Sequence, residues 1–280
     1  MLLLVIAICV CAVYISYNSL VIREYSYVSN KIDEPIKMVV LSDLHGNKFG
    51  AENEKLLLMI EEQKADAIFM VGDFINKYDE EHGEVIRLIS SLTKIAPVYY
   101  ALGNHEQRYL EAQGNQLLQD ILDSEASLLD LSYQDIELNG QKLRLGGMFD
   151  YAFALDGHDS TNPETMEPEV YQYLCDFQDT DLLKIMLAHR PESFILGQAS
   201  ETWNVDLVIS GHVHGGQVVL PFVGGLFASD QGFFPDYVHG LYEKNRVDIL
   251  ISSGLGSGLT WVPRFNNPPE VVVLTLTPEQ

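Results

Sequence analysis

Thiols and cations are scarce in this sequence. Only 3 of its 280 residues are cysteine. Cys9 and Cys11 fall in an apolar N-terminal stretch, which leaves Cys175 as the one thiol beyond it. The rest of the chain therefore cannot form an internal disulfide or build a cysteine-rich zinc site. The missing disulfide does not by itself exclude export. Lysine and arginine total 17 against 40 aspartates and glutamates, a formal net charge of -23. A nucleic-acid polymer is not expected as a partner, because holding DNA or RNA takes a basic face. Bound cations would offset the acidity locally, so an anionic substrate stays open. Repeats of fixed period and low-complexity tracts are also absent.

Charged side chains are missing altogether from Met1 to Ile22, and Leu2 to Ile15 is almost wholly apolar. As a helix, roughly 20 residues at about 1.5 Å each would cross a bilayer core. A cleaved signal peptide would want a basic start and a small-x-small site, and neither is clear. The expected organisation is a transmembrane anchor over 1–22, a polar linker over 23–35 and a catalytic domain over 36–280. Arg23, Lys31 and Lys37 follow the apolar run, so the positive-inside rule leans toward a cytoplasmic domain on a single-pass cell-membrane protein.

Beyond the linker, short apolar runs alternate with amphipathic stretches. Strands are expected at Ile36–Ser42, Ala65–Val71, Pro97–Leu102, Leu183–Ala188, Val205–Ser210, Val247–Ser252 and Val271–Thr277. Helices are expected over Ala51–Gln63, over His82–Leu92, and from the third strand to about Asp123. Gln134 to Met148 reads as a hairpin around Asn139-Gly140. Helices and strands alternate first and strands dominate later, which suggests an α/β chain with two sheets packed face to face and helices outside.

The chemistry-bearing residues sit just after strands. Asp43-Leu44-His45 follows the first, and in extended chain the Asp and His point to one side. Gly72-Asp73 follows the second; a carboxylate there sits where open α/β sheets bind ligands and can bridge two cations. Gly103-Asn104-His105-Glu106 follows the third. Asn104 can cap a helix or lend an amide oxygen to a metal. His189 and Arg190 follow another strand, with Arg190 suited to phosphate through its planar fork. Gly211-His212-Val213-His214-Gly215 is the strongest single signal: two imidazoles at i, i+2 between glycines suit a transition metal. Five of the eight histidines fall in these segments. His82, His158 and His239 do not.

Together, Asp43-x-His45, Gly72-Asp73, Gly103-Asn104-His105-Glu106, His189 and Gly211-His212-x-His214 resemble the calcineurin-like metallophosphoesterases over nearly all of Lys37 to Thr277. The tail Gly254-Leu255-Gly256, Pro263-Arg264-Phe265-Asn266 and Pro269-Glu270 resembles a membrane-anchored or exported bacterial branch. The resemblance implies a four-layer α/β/β/α sandwich. It implies one divalent metal on Asp43, His45, Asp73 and His214, and a second on Asp73, Asn104, His189 and His212. It makes His105 catalytic or a phosphate contact. Donors of this kind, without thiolate, suit Mn, Fe or Zn. The family often carries Gly-Asp-x-x-Asp, whose second Asp supports the histidine after the asparagine. Here that place holds Asn76, which can orient His105 but adds no charge.

The expected reaction is hydrolysis of a phosphodiester or pyrophosphate. A metal-bound hydroxide attacks phosphorus in line, Asp73 bridges the metals, Asn104 and Arg190 hold phosphoryl oxygens, and His105 protonates the leaving oxygen. Two segments bear on the substrate. Asp150 to Asp181 carries nine acidic residues and no cation, which reads as a solvated insert. Val218 to Tyr237 carries Phe222, Phe227, Phe233, Phe234 and Tyr237, either packed over the core or forming an apolar rim for a lipid-linked phosphate. A protein phosphatase of the same fold and a membrane-tethered metal-binding protein with little catalysis stay open.

Overall fold

The computed structural model describes residues 2–148, 166–258 and 262–279. The strands are β1 (Val21–Ser29), β2 (Ile36–Leu41), β3 (Ala67–Val71), β4 (Val98–Ala101), β5 (Ser127–Leu129), β6 (Ser132–Leu138), β7 (Gln141–Met148), β8 (Leu183–Ala188) and β9 (Leu207–Ser210), then four two-residue strands β10 to β13 between Val219 and Phe233, then β14 (Gly240–Lys244), β15 (Val247–Ile251) and β16 (Glu270–Pro278). The helices are α1 (Leu2–Asn18), α2 (Glu54–Glu61), α3 (Gly83–Leu92), α4 (Asn104–Gln113), α5 (Gln116–Asp123), α6 (Pro168–Gln178), α7 (Glu192–Ile195) and α8 (Ala199–Thr202).

Two six-stranded sheets run in the orders β1-β16-β2-β3-β4-β5 and β14-β15-β9-β8-β7-β6. Strands β2 to β5 are parallel, as are β7, β8, β9 and β15. Alternation along each strand sorts the core into layers. In β2, Met38 and Val40 face the second sheet and meet Leu145, Ile185 and Ile209, while Val39 and Leu41 face Leu56, Ile60, Leu88 and Ile121 of the helices. Met186, Val208 and Ile249 face Leu174, Phe177 and Phe194 on the far side. Strands buried on both faces are what continuous apolar runs produce, and the result is the four-layer α/β/β/α sandwich. The expected hairpin forms, with Asn139 and Gly140 at φ 48° and 74°. The helix expected up to Asp123 is broken in two at Gly114, φ 86°.

The N-terminus departs from expectation. Among the described residues no helix is long and apolar enough to cross a membrane. Helix α1 ends after 17 residues, which at 1.5 Å each is about 25 Å, short of a hydrocarbon core of about 30 Å. Its last turn bonds to the domain instead. Ser16 Oγ accepts from Asn267 N–H (3.1 Å) and Tyr17 Oη from Arg264 N–H (3.2 Å). The expected cell-membrane localisation is overturned, and the lean toward a cytoplasmic side falls with it. Much of the expected linker is strand. Arg23 to Ser29 belong to β1, which pairs in parallel with β16 from Val21↔Glu270 to Ser29↔Pro278. The alternating burial of Val21, Arg23, Tyr25 and Tyr27 is an edge-strand pattern. In the acidic stretch expected as an insert, residues 150–165 lie outside the described residues, and Pro168–Gln178 forms α6.

Candidate metal centre

The candidate ligands collect at the C-terminal ends of parallel strands from both sheets, where open α/β sheets place their ligands. Asp43 and His45 follow β2, Asp73 follows β3, Asn104 starts α4 after β4, His189 follows β8, and His212 and His214 follow β9. The convergence is not that of extended chain. Asp43, His45, Asp73, His212 and His214 have φ of 52°, 49°, 59°, 69° and 47°. Left-handed backbone is uncommon outside glycine, is tolerated best by Asp, Asn and His, and collects at functional sites. Gly72 precedes Asp73 at φ 71°, and a Cβ there would fall 2.6 Å from Gly103 Cα and 2.7 Å from His189 Nδ1. Nothing larger than glycine lets the two loops approach so closely.

Among the four groups that result in the described residues, Asp43–His45–His214 and Asp73–His189–His212 combine the expected ligands, and a third, His45–Asp73–His105, shares one member with each. Asp43 Oδ1 lies 3.8 Å from His45 Nε2 and 3.7 Å from His214 Nε2. Asp73 Oδ2 lies 3.1 Å from His189 Nε2 and 3.7 Å from His45 Nε2, so one oxygen faces both groups. Its other oxygen accepts from His105 N–H at 2.8 Å. Two atoms each about 2.0–2.2 Å from a shared ion sit roughly 3–3.5 Å apart, close to this spacing.

The donor set fits metal cations. His45 gives Nδ1–H to Asn76 Oδ1 (3.1 Å), His189 gives Nδ1–H to Val71 O (2.8 Å) and His212 gives Nε2–H to Asp230 Oδ2 (2.6 Å). Each ring thereby turns its second nitrogen to the centre, as the atom that a metal would take once it is without its proton. His45 Nε2, His189 Nε2 and Asn104 Oδ1 are buried without hydrogen-bond partners. Each such atom costs about 1–3 kcal/mol, a cost that a bound cation removes.

The charges are interdependent. Burial raises the Asp43 carboxyl, but His214 and His189 beside it hold it well below the usual carboxylate range. Burial also raises Asp73, and His189 and His45 outweigh it in the same way. Burial opposes protonation of His189, yet Asp73 and Asp43 push it up to about 10. His214 goes the other way, to about 3, because its burial outweighs the attraction of Asp43.

Asn76 does not touch His105 as expected. Its amide clasps His45 from both sides, with Oδ1 on the ring and Nδ2 donating to His45 O at 3.0 Å. His105 Nδ1 instead accepts Lys77 N–H (3.2 Å). Its ring stands edge-on to His45 with centroids 4.6 Å apart, and burial lowers it to about 4. Arg190 reaches the site, held by Asp230 Oδ2 at 2.7 Å. Asn104, His105, Arg190, His212, His214, Ser229, Asp230, Lys77 and Arg108 line a cavity of about 270 Å³ over the two groups. Phe222, Phe233 and Phe234, flanking the loop that supplies Ser229 and Asp230, are exposed rather than packed over the core.

Several contributors escaped the sequence reading. Asp230 grips both His212 and Arg190, and Glu192 lies beside that pair, fully buried with neither carboxylate oxygen bonded. Glu106 takes Asp73 N–H (2.7 Å), Phe74 N–H (2.7 Å), Gly103 N–H (2.9 Å) and Tyr100 O–H (2.9 Å) on one carboxylate, which ties the β3 loop to α4. Arg264 is also fully buried and bonds Ser253 O and Gly256 O, each at 2.7 Å, while Asn267 Nδ2 holds His214 O at 2.7 Å. The Glu106 signal was present in Gly103-x-x-Glu106, a glutamate at the third position of a helix reaching back to its start.

The comparisons agree with this geometry. The Calcineurin-like phosphoesterase family pattern matches residues 36–216. Phosphodiesterase YaeI of Escherichia coli is 31% identical over 251 residues, covering 86% of this chain and 82% of that protein. The uncharacterized metallophosphoesterase Cj0846 of Campylobacter jejuni is 30% identical over 250 residues, 88% of this chain but only 60% of that relative's length. The solved sulfate thiohydrolase SoxB of Thermus thermophilus shares the fold at a TM-score of 0.51 and 11% identity, over 86% of this chain and 56% of that one. By fold, by the order of its strand-end ligands and by these relatives, the chain belongs to the calcineurin-like phosphoesterase family of hydrolases.

Proposed function

We propose that the protein hydrolyses phosphodiester or pyrophosphate bonds with two divalent cations, Mn, Fe or Zn, bound at this centre. The observation that carries the reading is Asp73 Oδ2, one carboxylate oxygen turned to both histidine groups. In this assignment Asp43, His45 and His214 hold one ion, Asn104, His189 and His212 the other, and Asp73 serves both. When bound, the pair neutralises phosphoryl oxygens and lowers the pKa of a water toward neutrality. The remaining steps fall to side chains. Asn104 and Arg190 bind phosphoryl oxygens, with the Arg190 fork oriented by Asp230. His105 stands at the leaving-group side. Lys77 N–H occupies its Nδ1, so Nε2 carries the ring proton and would donate a hydrogen bond to the departing oxygen, stabilising the charge that develops there.

Metal-stripped protein should not turn over bis(p-nitrophenyl) phosphate, and manganese should restore it with about two ions bound per chain. Bound metal without turnover of any ester would reduce the chain to a metal-binding protein. Preference for a phosphoserine peptide over the diester would make it a protein phosphatase. An apolar portion of the ester would meet Phe222, Phe233 and Phe234. The same assay on Phe222→Ser and Phe233→Ser should show larger losses for a long-chain alkyl ester than for the nitrophenyl diester; equal losses remove the apolar rim.

Asp230 acts as a positioning residue, fixing the His212 tautomer from outside the metal shell. Carboxylates in that role are worth about 10- to 100-fold in metal affinity. Asp230→Asn should weaken one of the two metal-binding steps by at least about tenfold in calorimetric titration while leaving the other in place. Two unaltered steps would show that the bond to His212 orients nothing.

A further inference from the structure

We propose that Lys77 and Arg108 form a second anion subsite on the leaving-group side of the cavity, so that the preferred substrate carries two phosphoryl groups in a diphosphate ester. The inference rests on the phosphoester reading of the same site and names its substrate class.

The chain has 17 cationic side chains against 40 carboxylates, yet Lys77, Arg108 and Arg190 all line one cavity. The carboxylates on that wall are already engaged. Asp73 faces His189 and His45, and Asp230 holds His212 and Arg190. Arg190 thus belongs to the His212 side. Lys77 and Arg108 belong to the other. Among the described residues neither has a carboxylate partner, and the one contact of the Lys77 ammonium is the ring of Tyr78, 4.8 Å away. The other arginines are engaged: Arg23, Arg87, Arg144 and Arg190 with carboxylates, Arg246 and Arg264 with carbonyls.

Placement gives the pair its role. Asn104 and Arg108 are i, i+4 on α4 and share one helix face, so the guanidinium stands a turn above the amide assigned to the reacting phosphoryl. Lys77 is fixed beside His105 by the bond from its own N–H. Both cations therefore line the part of the cavity that carries this imidazole. Two desolvated phosphoryl groups need two sets of donors, and a planar guanidinium with a neighbouring ammonium is a chemically apt second set. A cavity of about 270 Å³ lies just under the usual range of small-molecule sites, about 300–1,000 Å³. It suits a diphosphate head with the rest of the ester outside.

The test uses the full chain with free manganese buffered. Turnover is followed on bis(p-nitrophenyl) phosphate, which has one phosphoryl group, and on a nucleoside diphosphate sugar, which has two. In the double variant Lys77→Gln/Arg108→Gln, kcat/KM on the diphosphate ester should fall at least about tenfold further than on the nitrophenyl diester, chiefly through KM. In parallel, calorimetry should show wild type binding inorganic pyrophosphate more tightly than inorganic phosphate, with that ratio reduced about tenfold in the variant. Equal proportional losses on both esters, or an unchanged pyrophosphate-to-phosphate ratio, would overturn the subsite. Wild type that turns over neither ester would sink the phosphoesterase reading, and the binding ratio would still decide the subsite.

Discussion

Asp73→Ala is expected to lower metal-dependent turnover by at least about a thousandfold, beyond the 10²–10³ that a single lost oxyanion donor costs. The size follows from the geometry. Asp73 Oδ2 lies 3.1 Å from His189 Nε2 and 3.7 Å from His45 Nε2, so its loss removes a donor from both groups at once. Asp43 Oδ1 also lies 3.8 Å from His45 and from His189, but its approach to His189 is longer than the 3.1 Å of Asp73 and it accepts His212 N–H as well. The fold should survive. Removing one of two buried like charges relieves repulsion, which offsets part of the loss of the His105 N–H bond and of the contact with His189. Circular dichroism should match wild type while calorimetric metal binding loses at least one step. Asp73→Asn separates charge from shape, since the amide keeps an acceptor for His105 N–H but cannot bridge cations as a carboxylate does. Near-wild-type rates in either variant, with full metal content, would remove Asp73 from the centre.

Much of this centre was legible in the sequence because its donors lie in short segments directly after apolar strands. A strand end positions whatever follows it, so the order Asp43, His45, Asp73, Asn104, His189, His212, His214 could be read without knowing the fold. The reason given for pairing Asp43 with His45 differs from what the structure shows. Left-handed turns bring them together, not alternation along extended chain. Contacts between distant segments left no such trace. Asn76 was placed on His105, but spacing cannot choose between two imidazoles whose centroids are 4.6 Å apart, and the structure puts it on His45. Asp230 lies in a loop whose composition speaks of phenylalanine, and only the fold of that loop brings it to His212. Strand β1 pairs with β16 across most of the chain. Its alternation was short and followed an apolar run that matched a membrane span in composition though not in helix length. Local patterns report burial and period. They do not report which remote segment supplies the partner.

Glu106→Gln is expected to be the most destabilising of the conservative changes near the centre. The carboxylate is fully buried and everything around it donates. Oε2 accepts from Asp73 N–H and Gly103 N–H, and Oε1 from Phe74 N–H and Tyr100 O–H. Burial and the nearby Asp73 charge push this carboxyl up, while the surrounding amide donors favour its ionised form. A glutamine in the same place keeps one acceptor oxygen and turns an NH₂ toward the other pair of donors. With the NH₂ on one side the Asp73 and Gly103 N–H groups lose their acceptor, and on the other the Phe74 and Ile75 N–H groups do, while the Tyr100 hydroxyl can turn to accept. At about 1–3 kcal/mol for each of two buried groups left unsatisfied, the loss is about 2–6 kcal/mol. For a chain of this size that corresponds to a fall in Tm on the order of 10 °C. The damage should also reach the metals, because the N–H groups held by Glu106 belong to Asp73 and to Gly103, the residue before Asn104. Calorimetric unfolding and metal titration of Glu106→Gln should therefore deteriorate together, whereas Asp73→Ala loses metal while keeping its fold. A variant with wild-type Tm would show that solvent or a rearranged loop satisfies these donors, and that Glu106 is not what holds Asp73 and Asn104 in register.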